Sequence, residues 1–574
     1  MTHETSLPDT SIASLTPRQQ HSAVAYITQT HTAWKTARQP LETKWQECWD
    51  AYLCTVASGT SLDNTSADRS RVARPVLYES VESIHAHLLK ALFPADEHFF
   101  SVVGRTEGDH AHAGTIESYL RSKLQSLGFY EQYALFLKQA IITGSSIAAV
   151  PWVQQRRRRR VQQPITMLGA TLGYRTEWQN VMTYNGPSFD VVDLFDVVMD
   201  PNVCKFEEAT LIRCLDKPLH QLKQNPCYSN LYNLTPKPPL PNAHKTARKQ
   251  AVGLQSSLNA STSDTVELLE VWGDIWIDGT VYQNMVAVVA NGERLIRFEE
   301  NPYDHGQKPF VFTSLIPIPN ELYGIGAIEK CLGLQHTINT LTNQKLDVIN
   351  LSINNPFTYL INDDVFDPNT LVTRPGALIP VKSHDTLRPI QYLNNFTVAF
   401  TEIADLKAEV QEATGALKFF TGGDASNGNR TATEVSALVN GGAQKFNHFV
   451  AHLENTSLEP FLEQVLENAK QFLQQPETLR VSREDGSLQF LDILPDVLRQ
   501  AQCTFRIDGS ASVAAEGQEL DSIVRFITMV QQYPTLRDKV DVLPLLKKVY
   551  RRLGFKDEDQ IFAVMGGSEN LASA

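Results

Sequence analysis

Apolar residues recur at helical spacing through the first 145 residues. Thr16-Pro17 opens the first run, with proline at the first helical position and Gln19 placed to complete a capping box. Val24, Ile27 and Trp34, then after Pro40 Leu41, Trp45, Trp49 and Tyr52, predict an amphipathic helix broken at the proline. Residues 58–74 are polar and loop-like. Leu77, Val81, Ile84, Leu88 and Leu92 mark one face of a helix between Pro75 and Pro94, and residues 115–142 supply one or two more. After Gly144 the period shortens: residues 147–153, 189–192 and 197–199 read as strands, with Asp200-Pro201 as a turn. A meander follows, 267–277, 281–290 and 293–298, joined by Asp278-Gly279 and Asn291-Gly292, both favoured type I′ dipeptides. Between these sheets, residues 218–264 are polar, contain TPKPPLP at 235–241, and read as a long excursion or linker. The fold class is mixed α+β, helix-dominated.

From Glu321 to Gln475 the pattern changes character. Ile328, Leu332, Leu334, Ile338, Leu341 and Ile349 predict a helix from Gly326 to Ser352, with Gln335, Asn339, Asn343 and Gln344 on its other faces. Asn355-Pro356 ends it, because the residue before a proline is pushed out of the α region. An insert punctuated by Pro356, Pro368, Pro375, Pro380 and Pro389 leads to a return helix with Phe396, Phe400, Ile403, Leu406 and Val410 on one stripe, stopping at Thr414-Gly415. The loop 415–429, GALKFFTGGDASNGN, has four glycines and little intrinsic structure. Thr431 and Glu434 form a Thr-x-x-Glu capping box for a long helix that restarts at Ser457 and Pro460 and runs to Phe472. A stalk helix with amides on several faces and few apolar residues needs neighbours, and a ring of identical copies in heterologous contact supplies them. A strand at 503–507 and apolar-faced helices close the chain.

Tyr323-Gly324-Ile325-Gly326 ahead of a helix carrying Gln335 and Asn339, the stretch Asn429-Arg430-Thr431-Ala432-Thr433-Glu434-Val435, and the order of parts between them resemble the portal, or head-to-tail connector, proteins of short-tailed (podovirus-type) bacteriophages. The resemblance implies a portal-type protomer: wing at 1–319, a stem helix at 320–352, clip at 353–395, the second stem helix at 396–414, tunnel loop at 415–429, wing again at 430–507, and a helical crown at 508–574. It also implies a dodecameric ring at the unique capsid vertex of a virion, made in the cytoplasm of a bacterial host. That ring would initiate capsid assembly, conduct double-stranded DNA during packaging and ejection, and carry the tail. Its implied partners are the terminase motor, a tail adaptor, the major capsid protein and scaffold. Lys418, Phe419, Phe420 and Asp424 would then face DNA, Asp363, Asp364 and Asp367 would bind clip partners, and Thr431 with Glu434 would be structural caps.

Composition adds bounds. The 574 residues exceed one hydrophobic core, and 42% hydrophobic with 20% charged residues is ordinary for globular protein. No run of eighteen apolar residues occurs and the N-terminus lacks signal-peptide regions, so neither secretion by that route nor a membrane span is expected. Seven scattered cysteines without a Cys-x-x-Cys pair read as free thiols. A formal net charge of −13 argues against a broad basic face for nucleic acid. Arg156 to Arg160 is the exception, read as a solvated hairpin tip or assembly contact before duplex binding; Arg69, Arg71 and Arg74 form a looser cluster. His85 and His87 lie on different faces of a helix, and His110 and His112 are read in a loop, so neither pair has zinc-ligand spacing. Asp363, Asp364 and Asp367 lack a calcium-loop pattern. With no Walker A, Gly-x-Ser-x-Gly or His-Glu-x-x-His motif, the reading is a non-enzyme with no cofactor and no metal. The competing readings are a tail adaptor or scaffold, and a metal-dependent nucleic-acid enzyme built from carboxylates distant in sequence.

Overall fold

The computed structural model describes residues 11–55, 70–93, 99–167, 170–237, 242–254, 264–353, 357–359, 387–389, 396–414, 447–482 and 488–507. The chain divides into two units, Met1–Leu89 with Val102–Phe505, and Lys90–Ser101 with Arg506–Ala574. Of the smaller unit only 90–93, 99–101 and 506–507 are described; there Phe93 and Phe99 meet edge-on at 5.0 Å between ring centroids.

In the larger unit Thr16 caps α1 (Pro17–Tyr52): its hydroxyl accepts from the Gln19 N–H, and Gln19 Oε1 accepts from the Thr16 N–H. The break expected at Pro40 does not occur, and α1 runs straight through it. Proline deprives the Thr36 carbonyl of its helical donor, but both positions are exposed, so water can replace that donor. Arg38, Glu42 and Trp45, buried on either side of Pro40, hold the helix together across it.

Past α2 (Val76–Leu92) and β1 (Phe100–Gly104) come α3 (Glu107–Leu127) and α4 (Phe129–Thr143), then β2 (Ser145–Ala149), a long hairpin of β3 (Trp152–Met167) and β4 (Ala170–Pro187), and β5 (Asp190–Val192). Next are β6 (Val197–Met199) and β7 (Leu211–Pro218), helices α5 (Leu219–Gln224) and α6 (Ala243–Ala251), and the meander β8 (Thr265–Ile277), β9 (Thr280–Ala290) and β10 (Arg294–Glu300). These build a five-stranded sheet in the order β10-β9-β8-β7-β6, against which Val24 and Ile27 of α1 pack. Both meander turns form as expected. Asp278 and Gly279 have φ of 46° and 88°, Asn291 and Gly292 51° and 68°, and the second loop takes Glu293 as an extra residue. With β11 (Phe310–Ser314), the fully buried β2 is the centre of a three-stranded sheet ordered β11-β2-β5.

The excursion between β7 and β8 is more than a polar linker. Leu219 and Leu222 of α5 are buried against Val266, Leu268 and Val288. From α6, Arg248 pairs with Asp193 and covers the Trp49 and Phe195 rings, and Lys245 pairs with Asp196.

An aromatic core joins α4 to the helix Glu459–Phe472: Phe129 stacks on Phe461 with centroids 4.4 Å apart, and Phe189 meets both edge-on. That helix does not restart at Ser457. Residues 447–453 are helical, a π turn spans Glu454–Leu458, and Pro460 sits in the first turn of the next segment. The wide turn absorbs the proline, which can give no N–H to the turn before it. Ser457 donates to the Leu453 carbonyl and shares a 2.8 Å hydrogen bond with the Tyr133 hydroxyl, so it pins the turn and does not cap a helix. Among the described residues no helix is long and apolar enough to cross a membrane.

Candidate functional site

The first long helix begins later than its apolar pattern predicts. A 3-10 turn at Glu329–Cys331 leads into α7 (Leu332–Ile353), while residues 324–328 are not helical. The cause is a backbone crossing at the glycines. A Cβ on Gly144, already at φ +86°, would lie 2.4 Å from the Gly324 carbonyl oxygen, and one on Gly326 would lie 2.5 Å from that of Ile142. Leu315 N–H donates to the Gly144 carbonyl, Gly324 N–H to Ser145 Oγ and Ala327 N–H to the Ile141 carbonyl, at 2.9, 3.0 and 2.9 Å. The segment is stitched across the end of α4, and helical geometry starts only once the chain has cleared it.

The amides of α7 have an intramolecular role. Gln335, Asn339, Asn343 and Asp347 stand four residues apart on one ridge, and an extended segment, residues 70–75, lies along them. Ser70 N–H donates to Asp347 Oδ1 at 2.7 Å, Val72 N–H to Asn343 Oδ1 at 2.7 Å and Arg74 N–H to Asn339 Oδ1 at 2.9 Å. In return Asn343 Nδ2 donates to the Val72 carbonyl and Gln335 Nε2 to that of Arg74, at 3.2 and 2.8 Å. Gln335 Oε1 then accepts from Leu77 N–H at 3.3 Å, which caps an orphan donor in the first turn of α2 from a different helix. The spacing explains the fit: four helical residues rise about 6 Å, and two extended residues about 6.6 Å. The amide face expected to meet a neighbouring copy is therefore occupied by the chain's own segment, at least along this ridge.

The return helix, α8, is helical at every described residue, Phe396–Thr414, and packs against α7. Of the expected stripe, Ile403 and Val410 are buried, Leu406 is half-buried, and the exposed Phe400 ring lies 3.4 Å from the Lys345 ammonium of α7. Exposed Glu402, Asp405, Glu409 and Glu412 follow one another at spacings of three, four and three, so they share the solvent side. Within the insert, β12 (Phe357–Tyr359) pairs antiparallel with β13 (Leu387–Pro389).

Arg156–Arg160 does not form a hairpin tip. It lies mid-strand in β3, registered against Trp178–Met182 of β4, with Thr183 bulged out. Alternation puts Arg156, Arg158 and Arg160 on the face of Trp178, Asn180 and Met182, and Arg157 and Arg159 on the other. The Arg158 and Arg160 guanidinium carbons stand 5.4 and 4.9 Å from the Trp178 ring centroid.

The histidine and cysteine candidates have structural surroundings. His85 Nε2 lies 2.8 Å from the Ala134 carbonyl, tying α2 to α4, and burial depresses its pKa. His110 and His112 belong to α3, not to a loop. A second capping box, Thr106 with Asp109, starts that helix ahead of them, and its sequence signal is Thr-x-x-Asp. All seven cysteines are free, and burial pushes the Cys48 and Cys214 thiols up to about 12, which suits packing and not nucleophilic chemistry. Among the described residues no group of three His, Cys, Asp or Glu could hold a metal ion.

Asp363, Asp364 and Asp367 of the insert, Lys418, Phe419, Phe420 and Asp424 of the glycine-rich loop, and the pair Thr431 and Glu434 lie outside the described residues, as does 508–574. A family model for the phage SU10 portal protein matches residues 153–569. The match takes in the arginine-bearing hairpin from its second residue, the whole five-stranded sheet, β5 and β11 of the three-stranded sheet but not its central β2, and α7, α8 and the helix Glu459–Phe472.

Proposed function

The chain belongs to the phage SU10 portal protein family, and from that premise we propose how its segments share the work of a portal vertex. It is a phage portal protein, a structural and not an enzymatic component of the virion, whose family forms oligomeric rings associated with capsid, DNA, terminase and tail. The observation that carries the finer reading is the paired helices Leu332–Ile353 and Phe396–Thr414, which bracket an insert and lie wholly within the matched region.

In this reading α7 and α8 form the stem of a dodecameric ring of the short-tailed type. The insert at 353–395 is the clip, where the terminase motor docks first and the tail adaptor later, with Asp363, Asp364 and Asp367 at its surface. Residues 415–429 form the tunnel loop, with Lys418, Phe419, Phe420 and Asp424 toward DNA. Residues 508–574 form the crown, and residues 1–319 with 430–507 form the wing that meets the major capsid protein and scaffold. The ring is a passive conduit that an external motor drives.

Native mass spectrometry and electron microscopy of the purified chain test this. The expected particle is a hollow ring with a narrow stalk and a mass twelve times 64.2 kDa. Monomers at every salt and protein concentration would overturn the reading. Replacing Asp363, Asp364 and Asp367 by asparagine should weaken motor or adaptor binding while rings persist; lost rings with normal adaptor binding to those that remain would refute the clip assignment.

A further inference from the structure

The β3–β4 hairpin is an arginine-rich arm: Arg175 pairs with Glu177 on β4, but Arg156–Arg160 on β3 have no ion-pair partner among the described residues. Its base is fixed: Trp152 Nε1 donates to Asn185 Oδ1 at 2.8 Å, the Trp152 ring stacks on Phe472, and Lys123 Nζ donates to the Asn185 carbonyl. Outward from Gln154 the situation changes. Residues 154–160 are exposed on both faces, and none of the five arginines has an ion-pair partner among the described residues. The twelve residues from Arg156 to Met167 reach roughly 40 Å at the usual strand rise. A lone two-stranded ribbon is marginal in water, and neighbouring like charges weaken it further. Trp178 at 53% exposure, Tyr174 at 68% and Met182 at 41% share one face with Arg156, Arg158 and Arg160. Aromatics, methionine and arginine are the residue types that protein interfaces concentrate.

We infer that this arm docks on the acidic surface of the next copy of the chain in the ring, with Trp178, held between Arg158 and Arg160, as its anchor. The inference rests on the portal reading, because only a closed ring gives every arm an equivalent neighbour. Charge selects the occupant. Residues 152–187 hold six arginines and one glutamate, +5 in a chain of net −13, so the remaining residues carry −18. Every copy thus offers one basic arm and a strongly acidic body, which is complementary head to tail. Duplex DNA fits less well: the same −18 repels phosphate, and a tryptophan standing on the arm's face serves a protein pocket better than a phosphate backbone.

Ring formation by the full chain, followed by mass photometry across protein concentration, tests this with three proteins. They are the wild type, a variant with Arg158→Glu, Arg160→Glu and Trp178→Ala, and a control with Lys205→Glu and Lys249→Glu that makes the same charge change at exposed positions elsewhere. The concentration for half-assembly should rise about tenfold or more for the arm variant and stay near wild type for the control. p-Benzoylphenylalanine in place of Trp178 should crosslink one copy to another within rings. Equal assembly of wild type and arm variant would overturn the inference while leaving the portal reading intact, whereas a wild type that never forms rings would remove both. Unchanged rings with lost affinity for a fluorescent 30-base-pair duplex would reassign the arm to DNA.

Discussion

Replacing Gln335 by leucine should release the segment 70–77 from α7 without disturbing the helix itself. Glutamine and leucine have nearly equal helix propensity, so α7 keeps its backbone. What changes is hydrogen bonding at a position only 4% exposed. The Arg74 carbonyl loses the Gln335 amide, the Leu77 N–H loses its acceptor, and Asn339 Oδ1 loses one of its two donors. A buried group stripped of its partner costs about 1–3 kcal/mol, and two such backbone groups that relax partly toward water should cost about 3 kcal/mol together. At 1.4 kcal/mol per decade that is an opening constant raised roughly 150-fold. Hydrogen–deuterium exchange of the peptide spanning 70–80 reads it directly, because among the described residues the amides of Ser70, Val72 and Arg74 donate to side chains of α7. Gln344→Leu, the same substitution at an exposed position of that helix, is the control and should leave exchange unchanged. Equal protection of 70–77 in wild type and Gln335→Leu would refute the ladder as what holds this segment.

Gly144→Ala should abolish soluble expression, since its Cβ would stand 2.4 to 2.5 Å from three backbone atoms and φ is +86°, a cost above about 4 kcal/mol; Gly333→Ala, with open space in α7, should instead add up to about 1 kcal/mol of stability and so raise Tm, and a well-folded Gly144→Ala protein would contradict the crossing. His31, beside Cys214 Sγ at 3.2 Å, has its pKa lowered to about 4, mainly by burial and then by Lys35 and Arg38. The unfolded chain therefore takes up that proton first, so stability holds above about pH 6.5 and falls by about 3 kcal/mol as pH drops toward 4; denaturant melts of His31→Gln should show a shallower fall, and an identical slope would be evidence against it. Deleting Phe419 to Asn427 should leave rings intact yet impair packaging or retention of DNA in assembled heads, and unchanged packaging and retention would exclude a channel role for that loop.

The elements readable from the chain were those fixed by local rules. Asp278-Gly279 and Asn291-Gly292 demand positive φ at two successive residues, and the capping box at Thr16 satisfies its own donors, so neither depends on distant partners. The helical character of α8 followed from one apolar stripe, on which Ile403 and Val410 are buried. Misreadings cluster where a distant segment decides. Pro40 looked like a break because the buried side chains around it, Arg38 bonded to Glu42 and the Val197 carbonyl, cannot be seen locally. The late start of α7 needed the knowledge that Gly144 lies against Gly324 and Gly326, some 180 residues away. A run of five charged arginines locally resembles a solvated tip and not a strand interior, yet an exposed ribbon with tryptophan across the face tolerates it. The sequence signal for the amide ladder was present as Gln, Asn, Asn and Asp at intervals of four. It pointed to a partner with a period near 6 Å, but not to which chain would supply it.

That ladder also fixes register, which is how the segment 70–75 and α7 come to be held in one relative position. Successive N–H groups of an extended chain point to opposite sides, so a slip of one residue would turn the donors of 70, 72 and 74 away from α7 and lose every rung at once. A slip of two residues would restore the bonds along 70–74 but drag Pro75 and the first turn of α2 off Gln335, leaving the Leu77 N–H uncapped. The two repeats also differ by roughly 0.6 Å per step, so the error over three steps approaches 2 Å, which about four rungs can absorb and many more could not. The ladder spans those four rungs, from Asp347 to Gln335, and ends where α2 begins. A hydrophobic seam of the same length would hold the segment as firmly but would tolerate sliding, since its contacts carry no direction. Placing directional amides there ties the start of α2 to one turn of α7.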